Sequence, residues 1–350
     1  MLDFLRKAFQ KAPAKLYGLD HAVLNIQLPP QSMWMNIGYW EVHTNDFPTA
    51  CEALLEQVVT TALSKEKASS IQILDVGCGC GDQSLYLFKT LRASPTPESS
   101  QPPDPQTSEQ SLRRRQSGSR TETEHQPPPP FPTLKSYIGI TLEQTQARYG
   151  SNRLHDLQHQ TPDRNIQAEI FCSDAGTPNC WTGDLKQSIN TLETALPAPT
   201  SSTWLLALDT MYHFRPTRLP LLTYARTNLN ANLMAFDLII ADDIPWHQKL
   251  LLRVLCWLTN TPFGNLVSRS DYVDMLVLAG YDRSQIEIRD VTKFCFRGLA
   301  DFIQRRVEEG VPFGLKMGKF NVARRMFAWW ARGDIVRGVI VVARGGKSEE

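Results

Sequence analysis

Three glycines at alternate positions, Gly77, Gly79 and Gly81, follow the apolar run Ile71–Val76, and no other pattern in the chain limits its fold as much. A turn without Cβ atoms can take positive φ and lets a ligand lie directly against the backbone. The run before it predicts a buried strand, and Leu85 and Leu87 after it suit the next helix. Asp75 stands near the strand's end, where its carboxylate can reach the turn. The spacing G-x-G-x-G differs from the G-x-G-x-x-G of dinucleotide binders. A tight strand-to-helix turn with no ligand is the plain alternative, yet packing alone seldom calls for three spaced glycines.

With 350 residues, 42% of them hydrophobic, the chain can bury a sizeable core. Lys plus Arg number 37 against 36 for Asp plus Glu, so no global field would hold it on nucleic acid, and none is expected as a partner. The seven cysteines, Cys78 and Cys80 among them, lack the repeated pair spacing of a zinc site. They read as reduced thiols, with no metal expected. The best membrane-span candidate, Leu250–Leu258, contains Arg253 and falls short of the roughly 20 apolar residues a span needs, leaving only peripheral membrane contact open. Met1–Lys11 reads as a basic amphipathic helix without the apolar core of a secretory signal, and Asp3 favours a lid helix over an organelle presequence. A cytoplasmic location is expected, with a mitochondrial one as the alternative. Residues 93–132, with Arg113–Arg115 and Pro127–Pro130, are too polar to bury surface and read as a disordered insertion. Residues 184–202 read as a second, polar insertion.

Further segments complete a pattern. Asn36, Gly38, Tyr39 and Trp40 form an N-x-G-Y-W sequence in a loop that follows Pro29 and Pro30. Tyr137–Thr141 is a short strand continuing as Leu142, Glu143 and, five residues after Thr141, Gln146. Ala168–Asp174 is a third strand ending on an acid, and Trp204–Leu208 a fourth, followed by Asp209 and His213. Leu233–Ala241 gives a fifth strand before Asp242 and Asp243, Gln285–Thr292 alternates as a sixth, and Arg337–Ala343 supplies the last. Taken together, these segments resemble the class I S-adenosylmethionine-dependent methyltransferases. The N-x-G-Y-W loop is similar to that of the small-molecule branch that includes tocopherol, sarcosine and macrolide methyltransferases and cyclopropane-fatty-acid synthases.

The resemblance implies a Rossmann-like, doubly wound α/β sheet of seven strands with the last antiparallel, under a helical cap. Residues 1–66 would form the cap and a cofactor-covering loop, and 67–344 the S-adenosylmethionine domain, with 246–335 a partly helical acceptor lid. It implies that Gly77, Gly79 and Gly81 pack beneath the methionine portion of S-adenosylmethionine, and that Asp75 orients its ammonium group or the surrounding loop. Asn36 would bind its carboxylate, Thr141 and Gln146 the ribose, and Asp174 the adenine. Glu143 departs from the serine of the family pattern. Tyr39 and Trp40 would wall the transfer site, although an aromatic anchor for the amino-terminal segment is the plainer use of both. His213 is the expected general base, oriented by Asp242. The implied reaction is methyl transfer to a small-molecule or lipid-like acceptor. A cyclopropane-synthase-like lipid C-methylation and an inactive cofactor-binding module are the alternatives.

Overall fold

A computed structural model describes residues 30–91, 131–160, 166–194, 201–258, 261–315 and 317–346. The expected helix Met1–Lys11 and most of the expected 93–132 insertion lie outside the described residues. Of that insertion's last two residues, Phe131 packs against the core and Pro132 is buried.

Seven strands form one sheet: β1 (Ser70–Val76), β2 (Thr133–Thr141), β3 (Gln167–Cys172), β4 (Ser201–Leu208), β5 (Asn232–Ile240), β6 (Ile286–Asp290) and β7 (Val336–Ala343). Their order is β3-β2-β1-β4-β5-β7-β6, parallel through β5, with β7 antiparallel to both of its neighbours. Central strands covered on both faces should be buried at nearly every position, and β1 and β5 are. Strand order reverses between β1 and β4, which opens a crevice at their carboxyl ends.

Side chains alternate between two cores. Ile71, Ile73, Trp204, Leu206, Met234 and Phe236 face one layer, and Leu74, Val76, Leu205, Ala207, Leu233 and Ala235 the other. The first layer is closed by α1 (Phe47–Leu63), α2 (Asp82–Thr90) and α8 (Phe296–Gly310), with α9 (Gly318–Gly333) packed on α8. In α1 the buried positions Ala50, Leu54, Leu55, Val58, Val59 and Ala62 repeat at helical spacing, and Asp46 caps it by accepting from the Thr49 amide at 2.9 Å. Between α1 and the glycine turn runs the loop that carries Asn36.

The other layer is closed by α4 (Gly183–Thr194), α5 (Leu219–Thr227) and α7 (Arg269–Leu278). Helix α4 corrects the expected polar insertion at 184–202. Its Leu185, Ile189 and Leu192 recur every three or four residues and are buried, a stripe that the polar residues between them hide in the composition. β4 likewise begins at Ser201, inside that span. Two further helices are α3 (Gln144–Gln160), against β3, and α6 (Trp246–Leu258). Helix α7 is capped by Ser268, whose hydroxyl accepts from the Asp271 amide at 3.1 Å. No helix among the described residues is long and apolar enough to cross a membrane.

One buried charge cluster ties the sheet to the second layer. Asp237, in the middle of β5, pairs with Arg218, and both side chains are fully buried. Tyr272 of α7 donates to the same carboxylate at 2.8 Å, the Arg218 guanidinium stacks over the Tyr272 ring, and Arg218 also donates to the Asn265 carbonyl. Removing one partner of such a pair strands the other charge. Arg218→Met is therefore expected to lower unfolding free energy by about 3–5 kcal/mol in urea titrations, and adding Asp237→Leu to restore most of it. A loss below about 1 kcal/mol in Arg218→Met would show that water reaches the cluster.

Candidate active site

All three glycines of the β1–α2 turn have positive φ: 80° at Gly77, 58° at Gly79 and 86° at Gly81. A Cβ on Gly77 would lie 2.6 Å from Thr210 Oγ1, so the turn and the exit of β4 touch only because that atom is missing. A Cβ on Gly79 would meet only the flexible tip of Met35, at 2.7 Å. Below the turn, Asp75 is fully buried, accepting from Gln83 Nε2 at 2.7 and 2.8 Å and from the Tyr137 hydroxyl at 2.6 Å. Burial pushes its pKa up to about 6, against the opposing pull of the Tyr137 and Gln83 hydrogen bonds. Of the two expected uses of Asp75, orienting the loop is the one this geometry supports.

A second segment, residues 31–37, folds over the turn. Asp82, the first residue of α2, accepts from the Met33 amide and pairs with Arg153 of α3 at 2.8 Å, while Arg153 also donates to the carbonyls of Cys80 and Gln31. Asn36 lines the cleft, but both ends of its side chain are engaged. Its amide donates to the Cys51 carbonyl at 3.2 Å and its oxygen accepts from the Gly38 amide at 2.9 Å, so it braces the loop. Tyr39 and Trp40 do not wall the cleft. Tyr39 stacks on Phe294 at 4.4 Å, while Trp40 packs on Phe302 and bonds to the Ile37 carbonyl, and both are buried. They serve as the aromatic anchor, because two large apolar rings gain more from burial against α8 than from lining a wet crevice.

Two chambers adjoin this turn, and a third borders the second at His213. The first, about 100 Å³, lies between residues 33–36, the glycine turn, Gln83 and Asp209. A second, about 480 Å³, shares Gly77 and Thr210 with the first and runs past Thr141, Asp174, His213 and Phe214. There the Thr141 hydroxyl donates to Gln146 Oε1 at 2.8 Å, bringing the two expected ribose-side residues together. Asp174 is exposed at the far wall, and one carboxylate oxygen accepts from the Gly176 amide. The third, about 210 Å³, is lined almost wholly by apolar side chains, including Ile37, Leu238, Leu252, Leu266, Met326 and Phe327. His213 borders the second and third chambers.

Asp209 is the residue that sequence reasoning left out of the site. It sits at φ 59°, rare for a non-glycine residue, directly after β4. Its Oδ2 accepts from the Ile37 amide at 2.9 Å, while its Oδ1 is shielded from solvent and has no hydrogen-bond partner. Burial raises its pKa to about 8, although the Tyr212 hydroxyl and the Ile37 amide oppose this. The signal in the sequence was an acid at the exit of the fourth strand. Arg153, Gln83 and Tyr137 gave no such signal, since their partners lie elsewhere in the chain.

His213 ends a short 3₁₀ turn, Met211–His213, that two bonds from Asn265 hold in place, to the carbonyls of Tyr212 at 3.2 Å and Phe214 at 2.6 Å. Desolvation lowers the pKa of its ring, which has an exposed edge and no hydrogen-bond partner among the described residues. Asp242 is not its partner. Asp242 lies two residues beyond the end of β5, exposed, where its charge acts on Arg337 at the start of β7. The expected His213–Asp242 pair fails because the chain turns outward after Ala241 towards α6.

Similarity to known proteins lies at the level of structure. Neither a family model nor a curated protein sequence matches the chain. Among solved structures it is similar to the cyclopropane synthase MmaA2 from Mycobacterium tuberculosis, at TM-score 0.53 and 10% identity, over 89% of this chain and 90% of that one. It is similar also to the [4+2]-cyclase SpnF, at TM-score 0.51 and 14% identity, over 95% and 94% of the two chains. A third is the phosphoethanolamine N-methyltransferase 2 of Haemonchus contortus, with phosphomonomethylethanolamine and S-adenosylhomocysteine bound, at TM-score 0.51 and 10% identity, over 84% of this chain and 53% of that one. The chain thus has the seven-stranded α/β fold that these proteins share.

The raised pKa of Asp209 has a consequence for stability. Its folded form holds a proton from about 3.8 up to about 8, so folding loses stability as pH rises through that window. Asp75, at about 6, and His213, lowered from 6.5 by desolvation, contribute alike to the parent and to Asp209→Asn, so the comparison of the two isolates Asp209. Urea unfolding at pH 6.5, 7 and 8 should show a steady loss in the parent and a flatter profile in Asp209→Asn. Parallel profiles would mean that Asp209 is already ionised at the lower pH.

Proposed function

We propose that this chain is an S-adenosylmethionine-dependent methyltransferase whose acceptor is an apolar small molecule or a lipid-like one. The observation that carries this reading is a pair of adjoining chambers that share Gly77 of a turn without Cβ atoms, with a solvent-shielded carboxylate oxygen that has no hydrogen-bond partner among the described residues in the first and an apolar chamber bordering the second at His213. The cleft fits the cofactor by its chemistry. Asp209 Oδ1 offers an ammonium group a charge-assisted hydrogen bond that nothing among the described residues supplies, and cation binding there would draw its pKa back down. Thr141 and Gln146 stand ready for ribose hydroxyls, and Asp174 for an exocyclic amino group. The fold shared with the N-methyltransferase among the structures above, which has S-adenosylhomocysteine bound, supports the same class.

When bound, the cofactor supplies an activated methyl group on a sulfonium centre. The protein's own part is positioning, exclusion of water and removal of a proton. Residues 33–36 close the cleft from above, and the Asp82–Arg153 pair keeps them there. In the acceptor chamber the apolar walls suit hydrocarbon, whether a terpenoid-like ring or an acyl chain. Trp330 lines it with an indole N–H that is buried and unpartnered, free to bond one oxygen of the acceptor. His213 borders both the cleft and this chamber, and its lowered pKa leaves the ring neutral near pH 7, able to take the proton an acceptor must lose.

The test is turnover with methyl-labelled cofactor and a fractionated metabolite and lipid extract. Label should move into an apolar product, and His213→Ala should slow this by about 10²- to 10⁴-fold while affinity for S-adenosylhomocysteine hardly changes. Turnover within a few fold of the parent across pH would reduce His213 to a chamber wall. Label entering only polar products would refute the apolar acceptor.

A further inference from the structure

The outer face of α6 is apolar as well as the inner one. Leu252 and Cys256 turn inward to the acceptor chamber, while Trp246, Leu250, Val254 and Trp257 form a stripe on the opposite side. Trp246 is 77% exposed and Trp257 79%, among the most exposed large apolar residues described. Packing among the described residues does not account for them, and a stripe of this kind on one helix marks a contact surface.

We infer that α6 seats the protein on the surface of a bilayer containing anionic phospholipid, with the acceptor chamber directly behind the contact. The inference extends the reading of that chamber as the acceptor site. Charge supports this occupant. Lys249 and Arg253 flank the stripe, α9, which supplies the opposite wall of the chamber, adds Arg324, Arg325 and Arg332, and neither helix contains an acid. In a chain whose charges nearly balance as a whole, this is a local excess of cations. The nearest acid ahead of α6 whose charge has an identified partner, Asp242, faces Arg337. Tryptophans at the two ends of an amphipathic helix, with cations alongside, are the composition that settles at the headgroup boundary. Residues 1–29 suit the face poorly, since Arg6, Lys7, Lys11 and Lys15 outnumber Asp3 and Asp20 and would be repelled by it.

Vesicle flotation of the full chain, without cofactor or acceptor, tests this. The protein should float with phosphatidylcholine–phosphatidylserine vesicles and stay below with phosphatidylcholine alone, and salt should weaken the binding. Trp246→Glu with Trp257→Glu should cut binding more than tenfold. Lys249→Ser, on an exposed side chain, should cut it about fivefold and serves as the deciding variant where the double change disturbs folding. No flotation of the parent, undiminished flotation of both variants, or a dimer in sedimentation velocity that the Trp246→Glu/Trp257→Glu change dissolves would each overturn the inference. Because the readout involves neither cofactor nor turnover, its failure is distinct from a failure of the methyltransferase reading.

Discussion

The close approach of the β1–α2 turn to the exit of β4 is the constraint on which the rest of the site depends. Gly77 lies so near Thr210 that a single Cβ would separate the two loops, and the separation would open the floor between the two halves of the cleft. Asp75 fixes the turn from below through Gln83 and Tyr137, and Asp82 fixes the covering loop from above through Met33 and Arg153. Four elements distant in sequence thereby meet at one backbone segment. A raised pKa at Asp75 is the electrostatic cost of placing that hub in the dry interior.

The loop after β4 has a support of its own. Asn265 holds the carbonyls on either side of His213, and its own carbonyl receives Arg218, which is paired with Asp237 inside β5. A histidine placed by its neighbours' backbone, its ring beside that of Tyr212 and without a hydrogen-bond partner among the described residues, leaves its ring nitrogens to whatever enters the cleft. The same loop places Asp209 with one oxygen unpartnered, which is costly for a buried carboxylate unless a ligand cation completes it. This polar strain lies at the exit of β4, where the sheet order reverses.

Much of this was legible in the sequence because it is local. Apolar runs gave the strands, the spaced glycines gave the turn, and Thr141 with Gln146 fell on one strand end and the helix after it. What was missed has non-local causes. Helix α4 reads as polar because only Leu185, Ile189 and Leu192 face inward. Tyr39 and Trp40 lie next to the cleft in sequence, but Phe294 and Phe302, more than 250 residues later, draw their rings away. Asp242 follows a strand adjacent to β4, yet the outward turn into α6 carries it to Arg337. Arg153 and Asn265 become recognisable only once their partners are in place.

Calorimetric titration with S-adenosylhomocysteine tests the central claim most directly, using the parent chain and Gly79→Val. At Gly79 an added side chain meets only the flexible end of Met35, and because the φ of 58° strains the turn as well, circular dichroism of the variant first establishes that the fold is retained. The account predicts one ligand bound per parent chain and none by the folded variant. A folded parent that takes up no ligand, or a Gly79→Val chain that binds as tightly as the parent, would contradict it.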